Sequence, residues 1–445
     1  MAYSNPQSVI TINLRVLVLR WLILISIAAA AITASVFSVR WYMADVIAEY
    51  APDVEAGGLD MTRLALRWAP SDPYIHRRMA TLEEEDFSAT NLASAVREWE
   101  LAVGLSPYDY RYWMELGRAY DAAGDPASSQ KALQRAVALA PAYSHPRWYL
   151  GNALLREGKL DEAFAQFKVA ADNDDEMRPQ VFSLAWSAFD KDIETITRLV
   201  TPTPTGKLQL ANYLVSIGAF DEAIKIWSAL DPKEQKSQHD LAEQLEQSLI
   251  EKKQFRGALV VMHGIAPDPD KQPLPEKIWN GGFEDDRLSP SAKLFGWSIN
   301  SRPQIEIEVV KLGHTGDRSL RMQFKAPNRR DPIQASQMVV VEPATAYRLE
   351  CFARTQDINS AGTVVITVTD AVDNSTLATS SPLPNGNTDW QRITVDFKTK
   401  PKNEAIVIGF ARADCGGAEL CPIFGNVWYD DFRLERLGSR EASAK

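Results

Sequence analysis

The sequence predicts a chain in three parts: a membrane-spanning helix, an all-α solenoid of helical hairpins, and an all-β sandwich. Residues 21–39 contain no charged side chain, residues 110–177 repeat at a step of 34, and beyond about residue 276 apolar residues recur at every second position. A fixed period of roughly 20–50 residues is typical of stacked helical hairpins. Alternation with a period of two is typical of strands that bury one face.

Composition fits a globular protein and argues against nucleic-acid binding. Of the 445 residues, 45% are hydrophobic and 24% are charged, and the formal net charge is −10. A protein that binds phosphate backbones needs clustered Lys and Arg, so we expect no nucleic-acid partner. An acidic surface selects no other partner by itself.

Residues 21–39 are predicted to cross a membrane. Nineteen helical residues, each rising about 1.5 Å, span a hydrocarbon core of roughly 30 Å. A cleaved signal peptide, with Ala34 ending a cleavage site, and a buried core helix are the two alternatives. The apolar region of a signal peptide is usually about 7–15 residues, which is shorter than this segment. We favour an uncleaved anchor.

The charges beside this segment predict its orientation. Arg15 and Arg20 precede it, whereas acidic residues predominate after Arg40. Under the positive-inside rule, residues 1–20 form a cytoplasmic tail, and the chain beyond the span lies outside the cytoplasmic membrane, in the periplasm if the cell is Gram-negative. Residues 40–71 are predicted to connect the anchor to the helices.

Residues 72–266 are predicted to form helical hairpins, of which two successive copies are the clearest. Equivalent positions carry the same residue types in both copies: Leu116-Gly117 and Leu150-Gly151, Gly124 and Gly158, Ala136 and Ala170. Glycine and alanine let two helices approach closely, and aromatic residues fill the groove between hairpins. Weaker copies are predicted at 76–109, 204–237 and 239–266, and an irregular insertion at 178–203.

The first clear copy resembles a known repeat. Its order is Trp113, Leu116-Gly117 and Tyr120, followed by Ala136 and Pro141. This order is similar to the tetratricopeptide repeat, W-x2-L-G-x2-Y with A and P at set offsets. The resemblance covers roughly 190 residues and is most specific in the central pair of copies.

The resemblance implies a concave groove that binds a peptide segment or an envelope protein partner. The alternative is a spacer that holds the C-terminal domain away from the membrane. The exposed groove candidates are Tyr112, Arg118, Arg147 and Tyr149. The acidic run at 83–86 is expected to be a solvated helix end, and Glu83 stands where the repeat has glycine.

Beyond a Pro- and Asp-rich linker at 267–275, the sequence predicts an antiparallel β-sandwich at 276–438, followed by a tail at 439–445. Turn residues separate eight short runs of alternating apolar residues, which is typical of such sandwiches. The predicted strands are 305–310, 320–324, 338–341, 347–352, 364–368, 393–397, 406–410 and 428–434.

The two ends of this domain carry a second resemblance. It opens with N-G-G-F-E at 280–284, continues with H-T-G-D at 314–317, and closes with W-Y-D-D-F at 428–432. This order is similar to the jelly-roll carbohydrate-binding modules attached to glycanases. The resemblance implies a jelly-roll sandwich and polysaccharide binding; the alternative is a structural or protein-binding sandwich. Trp297 and Trp390 match positions that pack the core in that family.

The same resemblance implies a structural calcium, with Glu284 as one ligand and Asp430 or Asp431 as another. Calcium prefers carboxylate and backbone oxygens. Adjacent strand residues face opposite sides, so only one of the two aspartates is expected to point inward. The alternative is a set of carboxylates that accept hydrogen bonds from turn amides without a metal.

Three cysteines are too few for a disulfide scaffold. Cys415 and Cys421 flank a Gly-Gly turn, and we expect them to form a disulfide outside the cytoplasm, with two free thiols as the alternative. Cys351 lies in an alternating segment and is expected to be a buried apolar residue.

No catalytic constellation is evident. The five histidines form no H-E-x-x-H site, and G-x-S-x-G and G-x-G-x-x-G motifs are absent. We therefore expect a non-enzymatic, single-pass envelope adaptor accessory to bacterial surface or exopolysaccharide assembly or export. Alternatives are a pure protein-interaction scaffold whose sandwich is structural, and a degenerate glycan hydrolase.

Overall fold

A computed structural model describes residues 17–85, 89–266, 272–285, 294–325, 333–416 and 421–438. The chain divides into two compact units, 1–191 and 192–445. The described part of the first unit is helical, and the second contains further helices and two antiparallel sheets. The predicted fold class is confirmed. The division between the units falls inside the predicted solenoid, at residues 191 and 192, whereas residues 267–271 of the predicted linker lie outside the described residues.

The helices of the first unit form one long N-terminal helix and a series of antiparallel pairs. They are α1 (Leu17–Glu49), α2 (Gly58–Trp68), α3 (Pro73–Glu85), α4 (Ala89–Leu105), α5 (Tyr110–Ala122), α6 (Pro126–Leu139), α7 (Ser144–Arg156), α8 (Leu160–Asn173) and α9 (Arg178–Ala188). The starts of α5 and α7, at 110 and 144, are 34 residues apart, and so are those of α6 and α8, at 126 and 160. The 34-residue repeat is therefore a repeat of helical hairpins.

Helix α1 is longer than the predicted span. Among the described residues it is the one helix that is long and apolar enough to cross a membrane, a test that a signal sequence also passes. It continues without a break to Glu49, and its last turns pack against α2. Ala44 and Ala48 of α1 share a fully buried cluster with Ala65 of α2 and with Ala69, which directly follows α2. Much of the predicted connector is therefore helical and packed.

Close helix approach explains the repeated glycines. A Cβ atom on Gly117 would lie 2.5 Å from Leu133 Cγ, and one on Gly151 would lie 2.6 Å from Phe167 Cε1. The turn between α5 and α6 is formed at Gly124, which adopts a φ of 82° that glycine tolerates without strain. Gly158 takes the same position, with a φ of 76°, in the turn between α7 and α8. The backbone N–H of Asp125 then donates to the carbonyl of Tyr120 across the turn, at 2.9 Å.

The segment 178–203 was predicted to be an irregular insertion, but it is mostly helical. It contains α9 and then α10 (Ile193–Leu199). The turn that ends α9 repeats the turn between α5 and α6: Lys191 N–H donates to Trp186 O at 3.0 Å, and Asp190 takes the glycine position with a φ of 45°. Without a glycine at this turn, the sequence does not show the pattern.

The helices of the second unit are short. They are α10, α11 (Pro204–Ser216), α12 (Phe220–Ser228), α13 (Pro232–Ser237), α14 (His239–Glu251) and α15 (Phe255–Ile265). The weak copies predicted at 204–237 and 239–266 are both helical hairpins, formed by α11 with α12 and α14 with α15. Lys253, with a φ of 61°, takes the glycine position in the last turn.

Two five-stranded antiparallel sheets form the sandwich, with strand orders β1-β4-β9-β6-β7 and β2-β3-β10-β5-β8. The strands are β1 (Ser298–Ile299), β2 (Ile305–Val310), β3 (Ser319–Phe324), β4 (Ile333–Val340), β5 (Ala346–Asn359), β6 (Val364–Asp370), β7 (Thr376–Thr379), β8 (Gly386–Lys398), β9 (Ala405–Arg412) and β10 (Phe424–Arg436). Each predicted strand overlaps an observed one. Alternate residues of the strands, such as Tyr347 and Leu349 on β5, fill the core between the sheets.

Within the second unit, α15 contacts the sandwich directly. Arg256 donates to the carbonyl of Val341 at 3.0 Å and pairs with Glu342 at 3.2 Å. His263 Nε2 lies 2.5 Å from the carbonyl of Pro273, so the described end of the predicted linker is packed as well. The last hairpin and the sandwich are therefore in contact rather than joined only by a free linker.

Gly117→Ala should lower the free energy of unfolding, because the new methyl group would overlap the Leu133 side chain and backbone. We expect a loss of about 1–3 kcal/mol, the usual cost of overpacking. Gly104→Ala is the matched control: this glycine lies in α4, and an added Cβ meets nothing within 4 Å. The control should be neutral or stabilising by up to about 1 kcal/mol. Urea denaturation of the two variants checks this, and equal midpoints would contradict the packing assignment.

Candidate functional site

A groove of about 410 Å³ is lined by the first helices of three successive hairpins, α3, α5 and α7, together with residues of α4 and α6. Charged, aromatic and amide side chains line it together. The lining residues are Glu84, Leu92, Gly117, Arg118, Asp121, Ala122, Ser129, Leu133, Trp148, Tyr149, Asn152 and Arg156. We call this surface the hairpin groove. Its position follows from the repeat, because equivalent faces of stacked hairpins form one continuous surface.

Two of the predicted groove residues meet inside it. The guanidinium of Arg118, on α5, lies 5.0 Å from the ring centre of Tyr149, on α7. Arg118 also pairs with Glu115, one turn earlier on its own helix. An arginine held over an aromatic face is pre-oriented, and its remaining N–H groups stay available to a ligand.

A second arginine, which the sequence reading missed, lies in the same groove. Arg156 Nη2 donates to Asp121 Oδ2 at 2.6 Å, across two hairpins. The Arg118 and Arg156 side chains are 47% and 54% exposed. Ion pairs at this exposure contribute about 0–1 kcal/mol, so either guanidinium can exchange its partner for a ligand carboxylate at little cost. The 34-residue step makes Asn152 the equivalent of Arg118, and Arg156 lies one helical turn after Asn152 on the same face of α7.

The other two predicted groove residues lie elsewhere. Tyr112 was expected to be exposed but is only 8% exposed, with its ring 6.4 Å from that of Trp99 in the core between α4 and α5. Arg147 donates to the carbonyl of Pro141 and to Gln166 Oε1, both at 2.9 Å, and does not line the groove. Both assignments failed because the sequence was read without fixing which face of each helix turns outward.

The acidic run at the end of α3 was predicted to be solvated, but part of it is buried. Glu83 is buried and accepts a hydrogen bond from Ser94 Oγ at 2.8 Å. Glu84 lines the groove and accepts from Trp99 Nε1 at 2.7 Å, and burial raises the pKa of its carboxyl. Position 86 lies outside the described residues. The glutamate in the repeat's glycine position is therefore accommodated by a hydrogen bond inside the hairpin.

In the second unit, the opening and closing motifs of the sandwich meet in a cluster of carboxylates. Asp430 Oδ2 accepts from the backbone N–H of His314 at 2.6 Å and of Thr315 at 3.3 Å. Asp431 accepts from Thr315 Oγ1 at 2.7 Å, and its Oδ2 lies 2.7 Å from His314 Nδ1. Glu284 Oε1 accepts from the N–H groups of residues 317 and 318, at 2.9 and 3.0 Å.

Both aspartates point inward, whereas the alternation of a regular strand predicted only one. The register of β10 against β5 shifts between Asp430 and Arg433, and Asp431 has a φ of 52°. A bulge of this kind turns two successive side chains to one side. Asp430 is completely buried and Asp431 nearly so, and burial raises the pKa of Asp430 to about 6.

The donors around these carboxylates are N–H and O–H groups rather than the oxygens that calcium requires. The backbone N–H of Asp431 donates to Asp430 Oδ1 at 2.7 Å, so both oxygens of Asp430 already accept hydrogen bonds. Within the described part of the chain, no three His, Cys, Asp or Glu side chains are arranged to hold a metal ion. The donor set thus suits hydrogen-bonded carboxylates, and calcium stays a prediction of the family resemblance.

The three tryptophans that the resemblance singles out, Trp297, Trp390 and Trp428, are not exposed, whereas Phe424 on β10 is 46% exposed. Trp297 lies in the core beside Phe283, as predicted. Trp428 is 6% exposed, with the guanidinium of Arg354 5.8 Å from its ring centre. Trp390, expected in the core, is instead half-buried and 5.7 Å from the ring of His314.

The structure joins Cys415 to Cys421 by a disulfide, with Cα atoms 6.1 Å apart; residues 417–420 between them lie outside the described residues. Cys351 is a fully buried free thiol, and burial raises its pKa well above the usual value. A protonated, enclosed thiol is unreactive.

The comparison with protein families agrees with the helical repeat. The tetratricopeptide repeat family matches residues 114–177. No curated protein matches the chain. Solved structures that resemble parts of it include MamA from Desulfovibrio magneticus RS-1, at 14% identity over 41% of this chain and 96% of that one, with a TM-score of 0.31. A thermophilic tetratricopeptide repeat protein of Thermus thermophilus has 19% identity over 43% and 89%, with a TM-score of 0.24.

A CBM4 structure resembles another part of the chain, at 14% identity over 36% of this chain and 99% of that one, with a TM-score of 0.27. At these identities and TM-scores the likenesses add nothing to the functional argument, which rests on the residues of this chain. The class shown is a tetratricopeptide repeat region between an apolar helix and a β-sandwich.

The free energy of unfolding should depend on pH through Asp430. Its pKa is about 6 in the folded protein, above the ordinary value of about 3.9, so the folded state binds the proton more tightly than the unfolded state. Stability contributed by the protonated form therefore grows as the pH falls from 7 to 4, by up to about 3 kcal/mol. The difference in unfolding free energy between the native protein and Asp430→Asn should show this slope.

Asp396→Asn is the control for that experiment, because hydrogen bonding to Arg348 lowers the pKa of Asp396. The difference in unfolding free energy between the native protein and Asp396→Asn should therefore shrink as the pH falls, whereas the difference for Asp430→Asn should grow. Equal slopes for the two variants would contradict the assignment of Asp430.

Removal of divalent cations tests the calcium prediction separately. Because N–H donors already satisfy Asp430 and Glu284, we expect EDTA to leave the melting temperature of the sandwich unchanged. A drop of several degrees that added calcium restores would instead establish the metal and would require the loop at 312–318 to present its carbonyl oxygens.

Proposed function

We propose that this protein is a non-enzymatic, membrane-anchored adaptor that binds a peptide segment of a partner protein in the hairpin groove. The observation that carries the proposal is the groove itself, where Arg118, Tyr149 and Arg156 lie side by side within the residues that match the tetratricopeptide repeat family. Guanidinium groups beside aromatic rings are typical of surfaces that recognise carboxylates and peptide chains.

The charges of the groove favour a peptide that carries at least one carboxylate. Arg118 and Arg156 already pair with Glu115 and Asp121, on helices of the same groove. A ligand carboxylate replaces one exposed pair by another, so its net gain depends on displacing water from Tyr149 and Trp148 as well. We therefore expect recognition to need an acidic group and an apolar side chain together.

The anchor is the second part of the proposal. The packing of α1 supports an uncleaved anchor, because the helix that forms the apolar segment also packs its last turns against α2 through Ala44 and Ala48. The bulk of the chain would lie outside the cytoplasmic membrane, in the periplasm of a Gram-negative cell. The disulfide between Cys415 and Cys421 supports an oxidising compartment.

The sandwich gives the proposal its setting in the cell envelope. Its opening and closing motifs, 280–284 and 428–432, meet as they would in a carbohydrate-binding module, through a backbone hydrogen bond from Phe432 to Gly281 at 2.9 Å. Together with the anchor and the repeat, the resemblance of these motifs to a carbohydrate-binding module is the basis for proposing a role accessory to surface polysaccharide or exopolysaccharide assembly or export. The alternative, a scaffold with a structural sandwich, gains from the enclosure of Trp428. If the full chain bound no polysaccharide, the role in polysaccharide assembly would be excluded and the scaffold with a structural sandwich would remain.

The groove is tested by cross-linking in membranes of the source cell. A photo-reactive amino acid at Asn152, which lines the groove, should capture a partner, and mass spectrometry would identify the peptide attached. Arg118→Glu combined with Arg156→Glu should reduce the cross-linked product about tenfold or more, which corresponds to about 1.4 kcal/mol.

Arg135→Glu is the matched control, since Arg135 is exposed on α6 and does not line the groove. It should leave the product unchanged. A product that survives the double reversal, or that is lost equally in the control, would overturn the groove as the binding site.

A further inference from the structure

Helix α2 carries an apolar face that is exposed. Its residues fall into three stripes at spacings of three and four, each facing one direction on a helix. One stripe is buried against the protein, with Thr62, Ala65 and the following Ala69. A second stripe is charged, with Asp60, Arg63 and Arg67. The third is Met61, Leu64 and Trp68, which are 38%, 42% and 39% exposed. Large apolar residues exposed side by side are typical of a surface that contacts another protein or a membrane.

The end of this face lies beside the apolar segment of α1. Arg40, the first residue after the predicted span, donates through Nη2 to the carbonyl of Arg67 at 2.8 Å. Arg67 and Trp68 border an apolar hollow whose other wall is formed by Val36 and Val39 of the span. Trp68 is therefore at the level of the last turn of the span, and the rest of α2 runs back along α1 towards Ala48.

The side chains at this level are those of a membrane interface. Trp41 and Tyr42 are exposed on α1, one turn after the span. Trp and Tyr concentrate at the boundary between hydrocarbon and headgroups, and arginines beside them reach lipid phosphates. Arg40 and Arg67 supply the positive charge here, so the charge and the apolar face fit the same surface.

We propose that Leu64 and Trp68 of α2 lie in the outer lipid interface, so that the protein contacts the bilayer through two helices rather than one. This inference rests on the proposed membrane anchor. A helix rises about 1.5 Å per residue, so Leu64 lies about 6 Å and Met61 about 10 Å further from the bilayer centre than Trp68. The headgroup layer is roughly 5–8 Å thick on each side, which covers Leu64 and ends near Met61.

Spin-label depth measurements on the full chain test the proposal. The chain already suits single-cysteine labelling, because Cys351 is fully buried and the other two cysteines are joined. Leu64→Cys, Trp68→Cys, Val36→Cys and Asp60→Cys would each be labelled with a nitroxide and reconstituted in vesicles of phosphatidylcholine and phosphatidylglycerol. Relaxation by oxygen, which partitions into lipid, is then compared with relaxation by a water-soluble nickel chelate.

Labels at Leu64 and Trp68 should give oxygen-to-nickel ratios severalfold above that at Asp60, with Trp68 the deeper of the two. Asp60 is the reference for exposure to water, since its side chain is 84% exposed on the charged stripe of the same helix and lies beyond the headgroup layer. A water-like ratio at Leu64 and Trp68, with a lipid-like ratio at Val36, would overturn this inference and keep the anchor. A water-like ratio at Val36 would remove the anchor itself. Shielding from both reagents, with dipolar broadening between labels, would show that a second copy of the chain covers the face and would also overturn the inference.

Discussion

The close approach of paired helices is the constraint on which the first unit depends. Each of the two central hairpins has a helix with no side chain at the contact, at Gly117 or Gly151, and a partner that fills the space with Leu133 or Phe167. Because a single hairpin cannot bury its apolar face, the next one must stack on it at the same spacing. The hairpin groove, with its arginines and Tyr149, is a consequence of that stacking rather than a separate design.

Periodicity predicted most of the fold, and the two helical segments that it described poorly share one physical origin. The turn between paired helices needs a left-handed residue, which glycine adopts without strain. Where Asp190 or Lys253 takes that position, at a φ of 45° or 61°, the structure is the same turn but the sequence signal is gone. The segment 178–203 was misread for this reason, and 239–266 gave only a weak copy. The longer range of α1 was missed because its last turns are amphipathic rather than apolar.

The candidate sites depended on orientation, which period alone does not supply. Arg118, Tyr149 and Arg156 line the groove, whereas Tyr112, which was expected to be exposed, is turned into the core. In the sandwich, Glu284, Asp430 and Asp431 all accept hydrogen bonds from one loop, residues 314–318. The bulge that turns both Asp430 and Asp431 inward is a local departure from strand alternation, with no signature in residue types. The N–H donors of the 314–318 loop could be located only once the strands were paired.

The unbroken course of α1 has a consequence for how this protein would find a partner. If residues 21–39 lie in a bilayer, the same continuous helix packs on α2 through residues 44–48, so that the first hairpins are joined to the membrane span by helix rather than by a flexible linker. The groove would then keep a fixed distance from the bilayer and a fixed orientation. Its encounters with another membrane-bound protein would be restricted to diffusion in the plane of the membrane. Confinement of this kind raises the effective concentration of the two binding surfaces. A groove of modest intrinsic affinity would then be sufficient, and its complexes could also exchange quickly.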